Sequence, residues 1–462
     1  MGQTERYVAS TSLPVAAAKA FAYHDRPGAL DRLIPPWETA VVESSDNSLA
    51  VGSRVVLKTK LGFIPLRWVA EHTKYDPPNL FADTSISGPF KSWDHHHRFV
   101  SAGDEQSLIR DEVDYRLPGG SMGRLFGGPM ARRAIESMFA YRHQVTRDDL
   151  NLMESHDQTP MTVAISGASG LVGKQFGALL TLLGHRTKHI VRSNSDAENE
   201  IPIWTDESAS EKMEGVDAVV HLAGKPIAEG RWNAEVKKQI LDSRVAKTQQ
   251  LCERLAKLQR KPRVLICASA TGFYGDRGDE ELTEQSARGD DFLADVCHQW
   301  EQSCQAAVDA GIRVVNARLG IVLTPRGGAL QKMLLPAKLF GGAMGSGKQW
   351  WSWIALDDVL GALYHAINDP SLSGPVNFVA PQPASNRDFV RTLGRVLSRP
   401  ALFPAPAFAL RLALGEMADA LLLASTKVTP SVLMQSSYKY RFADLSETLR
   451  YYLGKNRLES IE

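Results

Sequence analysis

The sequence predicts a two-part chain: a doubly wound α/β parallel sheet, preceded by an α+β unit in which an antiparallel sheet wraps a long helix. Three observations predict this. Residues 163–173 read Val-Ala-Ile-Ser-Gly-Ala-Ser-Gly-Leu-Val-Gly, an apolar run that passes through three glycines into a helical pattern. From residue 161 strand-like and helix-like segments alternate, the rhythm of a parallel sheet. Before residue 147 the dominant period is two, and a helical stripe appears only at its end.

In the first part a short helix is expected over 16–23. Two strands follow within 51–69, then strands over 81–87, 95–100 and 108–117. Ile135, Met138, Phe139 and Arg142 fall at i, i+3, i+4 and i+7 and mark a closing helix. A sheet wrapped on such a helix encloses a cavity, expected to be apolar and to suit an apolar ligand. The polar run over 148–160 reads as a linker. The second part has strands over 162–166, 187–191, 218–222, 263–268 and 313–318, with Val172, Phe176, Leu179, Leu180 and Leu183 on one helical face. After about residue 325 the alternation decays, and an Ala/Leu-rich helix is expected over 407–424. The domains expected are therefore 1–147, a linker over 148–160, 161–395 with a substrate lobe, and a helical extension over 396–462.

The bulk numbers are ordinary. At 462 residues the chain is too long for one core, and 44% hydrophobic with 23% charged residues is the balance of a soluble globular protein. A net charge of +1 gives no electrostatic ground for nucleic acid or a membrane surface as a partner. The apolar stretch Phe403 to Leu423 is broken by Pro404, Pro406, Arg411, Glu416 and Asp419, so it is not a membrane span. There is no charged-then-apolar leader. The 4 cysteines form no C-x-x-C pair, which points away from a zinc or disulfide framework and toward a reducing cytoplasm. In Asp94-His95-His96-His97 the period of a strand puts His95 and His97 on one face with Trp93 and Phe99. No third ligand is apparent in the sequence, so no metal is assigned.

The strongest chemical signal is Gly167-x-x-Gly170-x-x-Gly173. Strand, glycine turn and helix N-terminus together make a cradle for a dinucleotide pyrophosphate: Gly167 permits the turn, Gly170 lets backbone approach phosphate, and Gly173 lets the helix pack on the strand. Ser169, Leu171 and Val172 complete the turn. The second strand ends in Arg192, where an NAD site carries a carboxylate, and a guanidinium there favours a 2′-phosphate, hence NADP over NAD. Leu222, Ala223 and Gly224 end another strand with residues small enough for a nucleotide to cross the sheet edge. Ser269 follows the strand over 263–268. Trp350, Trp351 and Trp353 either stack on a flat ligand or plug the lobe behind it.

These motifs resemble the extended short-chain dehydrogenase/reductase superfamily, and more narrowly its atypical NAD(P)-dependent epimerase-like subgroup. The segments that carry the resemblance are ISGASGLVG, HLAG, the helix from Arg231 to Thr248, SATGFYG and QWWSWI. Pro404, Gly415-Glu416-Met417 and Tyr440-x-Phe442 are similar to that family's short C-terminal domain. Residues 1–147, with Pro35-Pro36-Trp37-Glu38, look similar to a polyketide-cyclase/START-like helix-grip domain. The resemblance implies a Rossmann fold, hydride transfer in an epimerase or reductase acting on a small-molecule substrate, Arg244 at the cofactor, and Gln349, Trp350 and Trp353 at the substrate. The family's Tyr-x-x-x-Lys pair falls here on Leu293 and Cys297, neither of which can move a proton as that pair does. Ser269 and Tyr274 remain as catalytic candidates, Tyr274 equally as a packing residue. A protein that binds NADP without turnover, as a sensor, is the competing expectation.

Overall fold

The computed structural model describes residues 4–61, 64–193, 197–206 and 208–456. The chain divides into two compact units. One gathers the chain up to Thr159 with Ala178–Gly184 and the segment from Arg450; the other is Pro160–Gly177 with His185–Leu449.

The first unit runs β1 (Glu5–Leu13), α1 (Ala17–Asp25), α2 (Ala29–Leu33), β2 (Val41–Ser45), β3 (Arg54–Leu61), β4 (Ile64–Asp76), β5 (Leu80–Ser87), β6 (Ser92–Ser101), β7 (Ser107–Arg116) and α3 (Gly120–Glu154). The seven strands form an antiparallel sheet in the order β1-β7-β6-β5-β4-β3-β2. Ile135 and Phe139 of α3 pack on Tyr7, Ala9, Trp93, Val113 and Tyr115 of the sheet, each buried side chain stabilising by about 1.5–3 kcal/mol. The antiparallel sheet on a long helix is as the sequence predicts. The two strands outside that prediction have physical reasons to escape it. In β1 the inward row is Tyr7, Ala9, Thr11 and Leu13, too mixed in polarity to show its period. β2 is an edge strand with no buried residue.

The expected linker over 148–160 is corrected, because α3 continues to Glu154. The polar run is helical since its inward residues are occupied. Leu150 and Met153 are buried, and buried Asp149 accepts from Arg32 Nε and Nη2, both at 2.8 Å, and from Tyr23 Oη at 2.9 Å. The interior is also less apolar than expected: His95, His97, Asp111 and His143 are buried in it.

The second unit runs β8 (Thr162–Ser166), α4 (Leu171–Leu182), β9 (Arg186–Ile190), β10 (Glu200–Ile201), β11 (Ala218–His221), α5 (Ala234–Asp242), α6 (Val245–Ala256), β12 (Val264–Ala270), β13 (Glu281–Leu282), α7 (Phe292–Gln302), α8 (Gln305–Asp309), β14 (Arg313–Leu319), β15 (Ile321–Leu323), α9 (Gly328–Lys338), β16 (Gly341–Met344), β17 (Trp350–Trp351), β18 (Trp353–Ala355), α10 (Leu356–Asn368) and β19 (Gly374–Phe378). Its sheet has the order β10-β9-β8-β11-β12-β14-β19, parallel throughout. The chain reverses its direction of winding between β8 and β11, and the crevice at such a switch point is where nucleotides bind. Of the helical extension expected over 396–462, the residues up to Leu449 fall within this unit. The helix expected over 407–424 is broken at Gly415, whose φ is 65°. No helix among the described residues is long and apolar enough to cross a membrane.

Candidate functional site

β8 delivers the chain into the glycine turn at its C-terminal end, and α4 starts four residues later. The turn is held by Gly170 N donating to Gly167 O at 2.9 Å and by Lys174 N donating to Gly170 O at 3.0 Å. Gly167 has φ +72°, and a Cβ there would meet the Leu222–Ala223 backbone at 3.0 Å. A Cβ on Gly173 would stand 2.2 Å from Gly167 O, so that position admits no side chain. Ser169 and Gly170 are exposed, which leaves the turn's backbone open at the N-terminus of α4. Unpaired amides and the helix dipole at this point favour an anionic group. The residues present therefore fit a dinucleotide pyrophosphate.

The second wall is the end of β11. Ser166, His221 and Cys267 stand in one row across β8, β11 and β12. Ser166 Oγ is hydrogen-bonded to His221 Nδ1 at 2.5 Å and accepts from Leu222 N at 3.2 Å and Ala223 N at 3.3 Å. Burial lowers the pKa of His221 to about 4, so it is neutral at pH 7. The sequence reading did not assign Ser166 and His221 as site residues, because their role is visible only once the two strands are neighbours. Arg244 lies against Gly224, where an added Cβ would meet its guanidinium at 3.3 Å, and its Nη1 donates to Lys225 O at 3.0 Å. Thus Gly167–Gly173, Leu222–Gly224 and Arg244 are brought together. Arg192 follows β9, the neighbouring strand, and is exposed.

The catalytic candidates lie one strand further on. Ser269, Arg318 and Asn377 are direct cross-strand partners on β12, β14 and β19. Ser269 Oγ donates to Glu301 Oε1 of α7 at 2.7 Å, and Arg318 holds the same carboxylate with two bonds of 2.8 Å. Tyr274 Oη donates to Asn377 Oδ1 at 2.7 Å and accepts from Arg318 at 3.0 Å. Tyr274 is fully buried, with its hydroxyl committed on both sides. Burial raises its pKa, and adjacent Arg318 only partly opposes this. That environment suits a structural phenol, whereas a proton-transfer tyrosine needs a lowered pKa. Leu293 and Cys297 are buried on α7, and burial pushes the Cys297 thiol up to about 12. Glu301 and Arg318 were outside the sequence prediction, since neither lies in a recognisable motif.

Of the substrate candidates, Gln349 and Trp353 are buried. Gln349 Nε2 donates to Met344 O at 3.0 Å and to Leu422 O at 2.9 Å, so it ties loops together. Trp350 is half-buried, and its Nε1 donates to Asp279 Oδ1 at 2.8 Å. Trp353 is packed as a hydrophobic plug, and Trp350 keeps part of its indole exposed, with the Lys427 ammonium 5.1 Å from its ring centroid.

Residues 163–378 match the model of the NAD dependent epimerase/dehydratase family. Residues 13–140 match that of polyketide cyclase / dehydrase and lipid transport, and residues 405–451 match a domain of unknown function. An epimerase family protein of Mycobacterium bovis is 39% identical over 293 residues, 63% of this chain and 96% of that protein. The chain belongs to the epimerase family. A chloroplastic member from Arabidopsis thaliana is 36% identical over 316 residues, covering 66% of this chain and 90% of that one. Among solved structures, the nucleoside-diphosphate sugar epimerase from Corynebacterium glutamicum superposes with TM-score 0.80 at 34% identity, covering 98% of this chain and 91% of that one. The human epimerase family protein SDR39U1 (isoform2), solved with NADPH, gives TM-score 0.60 at 32% identity over 63% of this chain and 99% of that one.

Proposed function

We propose that this epimerase family member binds NADP(H) at the glycine turn and acts as a hydride-transferring oxidoreductase, epimerase- or reductase-like, on a small hydroxylated or carbonyl substrate in the cytoplasm. The observation that carries the reading is the glycine cradle at Gly167, Gly170 and Gly173, where a single methyl group at Gly173 would strike backbone. In this reading Ser169, Leu171 and Val172 present backbone amides to the pyrophosphate. Arg192 pairs the 2′-phosphate as a bidentate cation. Arg244 closes the edge beside Gly224. When bound, the nicotinamide supplies or accepts the hydride. Ser269 spends its proton on Glu301, so toward a substrate it presents lone pairs and accepts from a hydroxyl. The NADPH-bound human relative supports the choice of phosphate-bearing cofactor. Titrating NADPH and NADH separately by tryptophan fluorescence tests it: NADPH is expected to bind more tightly, and Arg192→Ala to abolish the preference. Tighter NADH would overturn the cofactor choice.

A second reading, binding without turnover, is favoured by one observation. Leu293 and Cys297 occupy the positions of the family's tyrosine and lysine, and the nearest phenol is committed to Arg318 and Asn377. NADPH oxidation against a panel of carbonyl compounds separates the two. Turnover that falls with Ser269→Ala supports the first, and tight binding with no turnover supports the second.

A further inference from the structure

The interior of the first unit contains a feature that the cofactor site does not use. β6 projects His95 and His97 inward, while His96 points to the other face. The register then sets a carboxylate opposite each of them: Asp83 of β5 is the direct partner of His95, and Asp111 of β7 is the direct partner of His97. Each imidazole therefore lies between two carboxylates. Toward Asp111, His95 Nε2 is 3.0 Å from Oδ1 and His97 Nδ1 is 2.6 Å from the same oxygen. The second contact is too far off line to be a hydrogen bond, which leaves His97 Nδ1 buried and unsatisfied. Toward Asp83, His95 Nδ1 and His97 Nε2 stand 3.5 and 3.6 Å from Oδ2.

We propose that the first unit holds a divalent transition metal ion ligated by Asp83 Oδ2, His95 Nδ1 and His97 Nε2, with Asp111 as the carboxylate behind both imidazoles. The three ligand atoms lie within 4.8 Å of one another. Two ligands about 2.1 Å from one ion at tetrahedral angles lie about 3.4 Å apart, which matches the two carboxylate–imidazole separations. These separations are long for hydrogen bonds, and without a metal the groups face one another as charge pairs. An imidazole that ligates a metal commonly gives its other N–H to a carboxylate, and His95 Nε2 meets Asp111 Oδ1 at 3.0 Å in this way. Asp111 is itself held: its Oδ2 is hydrogen-bonded to His143 Nε2 at 2.5 Å, and His143 Nδ1 to Thr11 Oγ1 at 3.0 Å. With the His95 Nε2 proton directed at Asp111, His95 Nδ1, His97 Nε2 and Asp83 Oδ2 converge on one point, where a cation would take the place of ring protons. Charge points the same way. Three carboxylates, Asp83, Asp111 and Glu38, share the field of the half-buried Arg142 guanidinium, so with neutral imidazoles the cluster is left negative.

Two histidines and one carboxylate leave coordination positions open for an oxygen ligand, as in reactive rather than closed structural metal sites. Of the three ligands, the Asp83 side chain retains 16% exposure and that of His97 11%, while His95 retains 3%, so access to the ion is from the Asp83–His97 side.

The test uses the full chain without a histidine tag, stripped with chelator and titrated with Co²⁺ alone. Visible d–d absorption should rise to one equivalent per chain. His96→Ala, on the same strand but the opposite face, should bind as the wild type does. His97→Ala and Asp83→Asn should lose the band while keeping the wild-type far-UV circular dichroism. Asp111→Asn should weaken binding about 10- to 100-fold at unchanged stoichiometry. Absence of the band in the wild-type protein overturns the proposal whatever the variants do, and so does a band that survives in Asp83→Asn or His97→Ala.

Discussion

At Gly173 a single hydrogen decides whether the cradle exists. Gly173→Ala places a methyl 2.2 Å from Gly167 O and 2.8 Å from its carbonyl carbon. Overpacking of this kind costs about 1–3 kcal/mol, and here the strain falls on the phosphate-binding backbone. The expected outcome is a folded protein whose NADPH affinity, read by tryptophan fluorescence, falls at least about 100-fold, the affinity equivalent of roughly 2.7 kcal/mol. Unchanged affinity would place the dinucleotide elsewhere. His221 sets a second expectation. Burial holds its folded pKa at about 4, below the ordinary value of about 6.5. Between these values the unfolded chain takes up a proton that the folded chain refuses. Stability is therefore whole above pH ~6.5 and declines as pH falls toward ~4, by about 3 kcal/mol in all. Urea denaturation at pH 7 and pH 5 should show His221→Asn losing about 2 kcal/mol less than wild type over that interval. An equal loss in both proteins would mean that other groups carry the acid sensitivity.

Among elements, the row across β12, β14 and β19 is the feature most exposed to a single substitution. Arg318 bonds Glu301 twice, touches Tyr274, and stacks its guanidinium 3.5 Å from the centroid of Phe273. Arg318→Met leaves the Glu301 carboxylate, 11% exposed, without its partner, at an expected cost of about 3–5 kcal/mol. Adding Glu301→Gln should recover part of that loss in urea melts; strict additivity would show that the pair is not coupled. These elements also show what the sequence could disclose. β8, β11 and β12 are covered on both faces, so each reads as an unbroken apolar run and is legible. β19 carries Pro375 and Asn377 in its five residues and is not. The glycine turn was legible because each glycine answers a local steric demand. The Ser269–Glu301–Arg318 contact was not, since it joins a helix to two strands through a register that no local pattern encodes. The same holds in the first unit, where His95 and His97 could be placed on one face but their carboxylate partners, Asp83 and Asp111, are supplied by β5 and β7.

Over the whole molecule, the cysteines are confined to one of the two units. Cys252, Cys267, Cys297 and Cys304 are all free, buried and within the second unit, and three of them sit in the core cluster that includes Val219, Leu251 and Leu265. A thiol reagent added to the native protein therefore reports the opening of that unit and is silent on the first. A ligand that binds only the closed form reduces the open population by the factor 1 + [L]/Kd. Where opening and closing are fast relative to labelling, the rate follows that population. NADPH at 100 times its Kd should then slow labelling of wild-type protein about 100-fold, with NADH at the same concentration slowing it less. Gly173→Ala should show at most about twofold protection by either at that concentration, because its affinity is at least about 100-fold weaker. Arg192→Ala should equalise the two cofactors without abolishing protection, since the pyrophosphate contacts remain. Labelling that NADPH leaves unchanged in the wild type would mean that the thiols are reached through openings that leave the cradle intact, or that the cradle is not where the cofactor binds. The fluorescence titration of Gly173→Ala distinguishes these two causes.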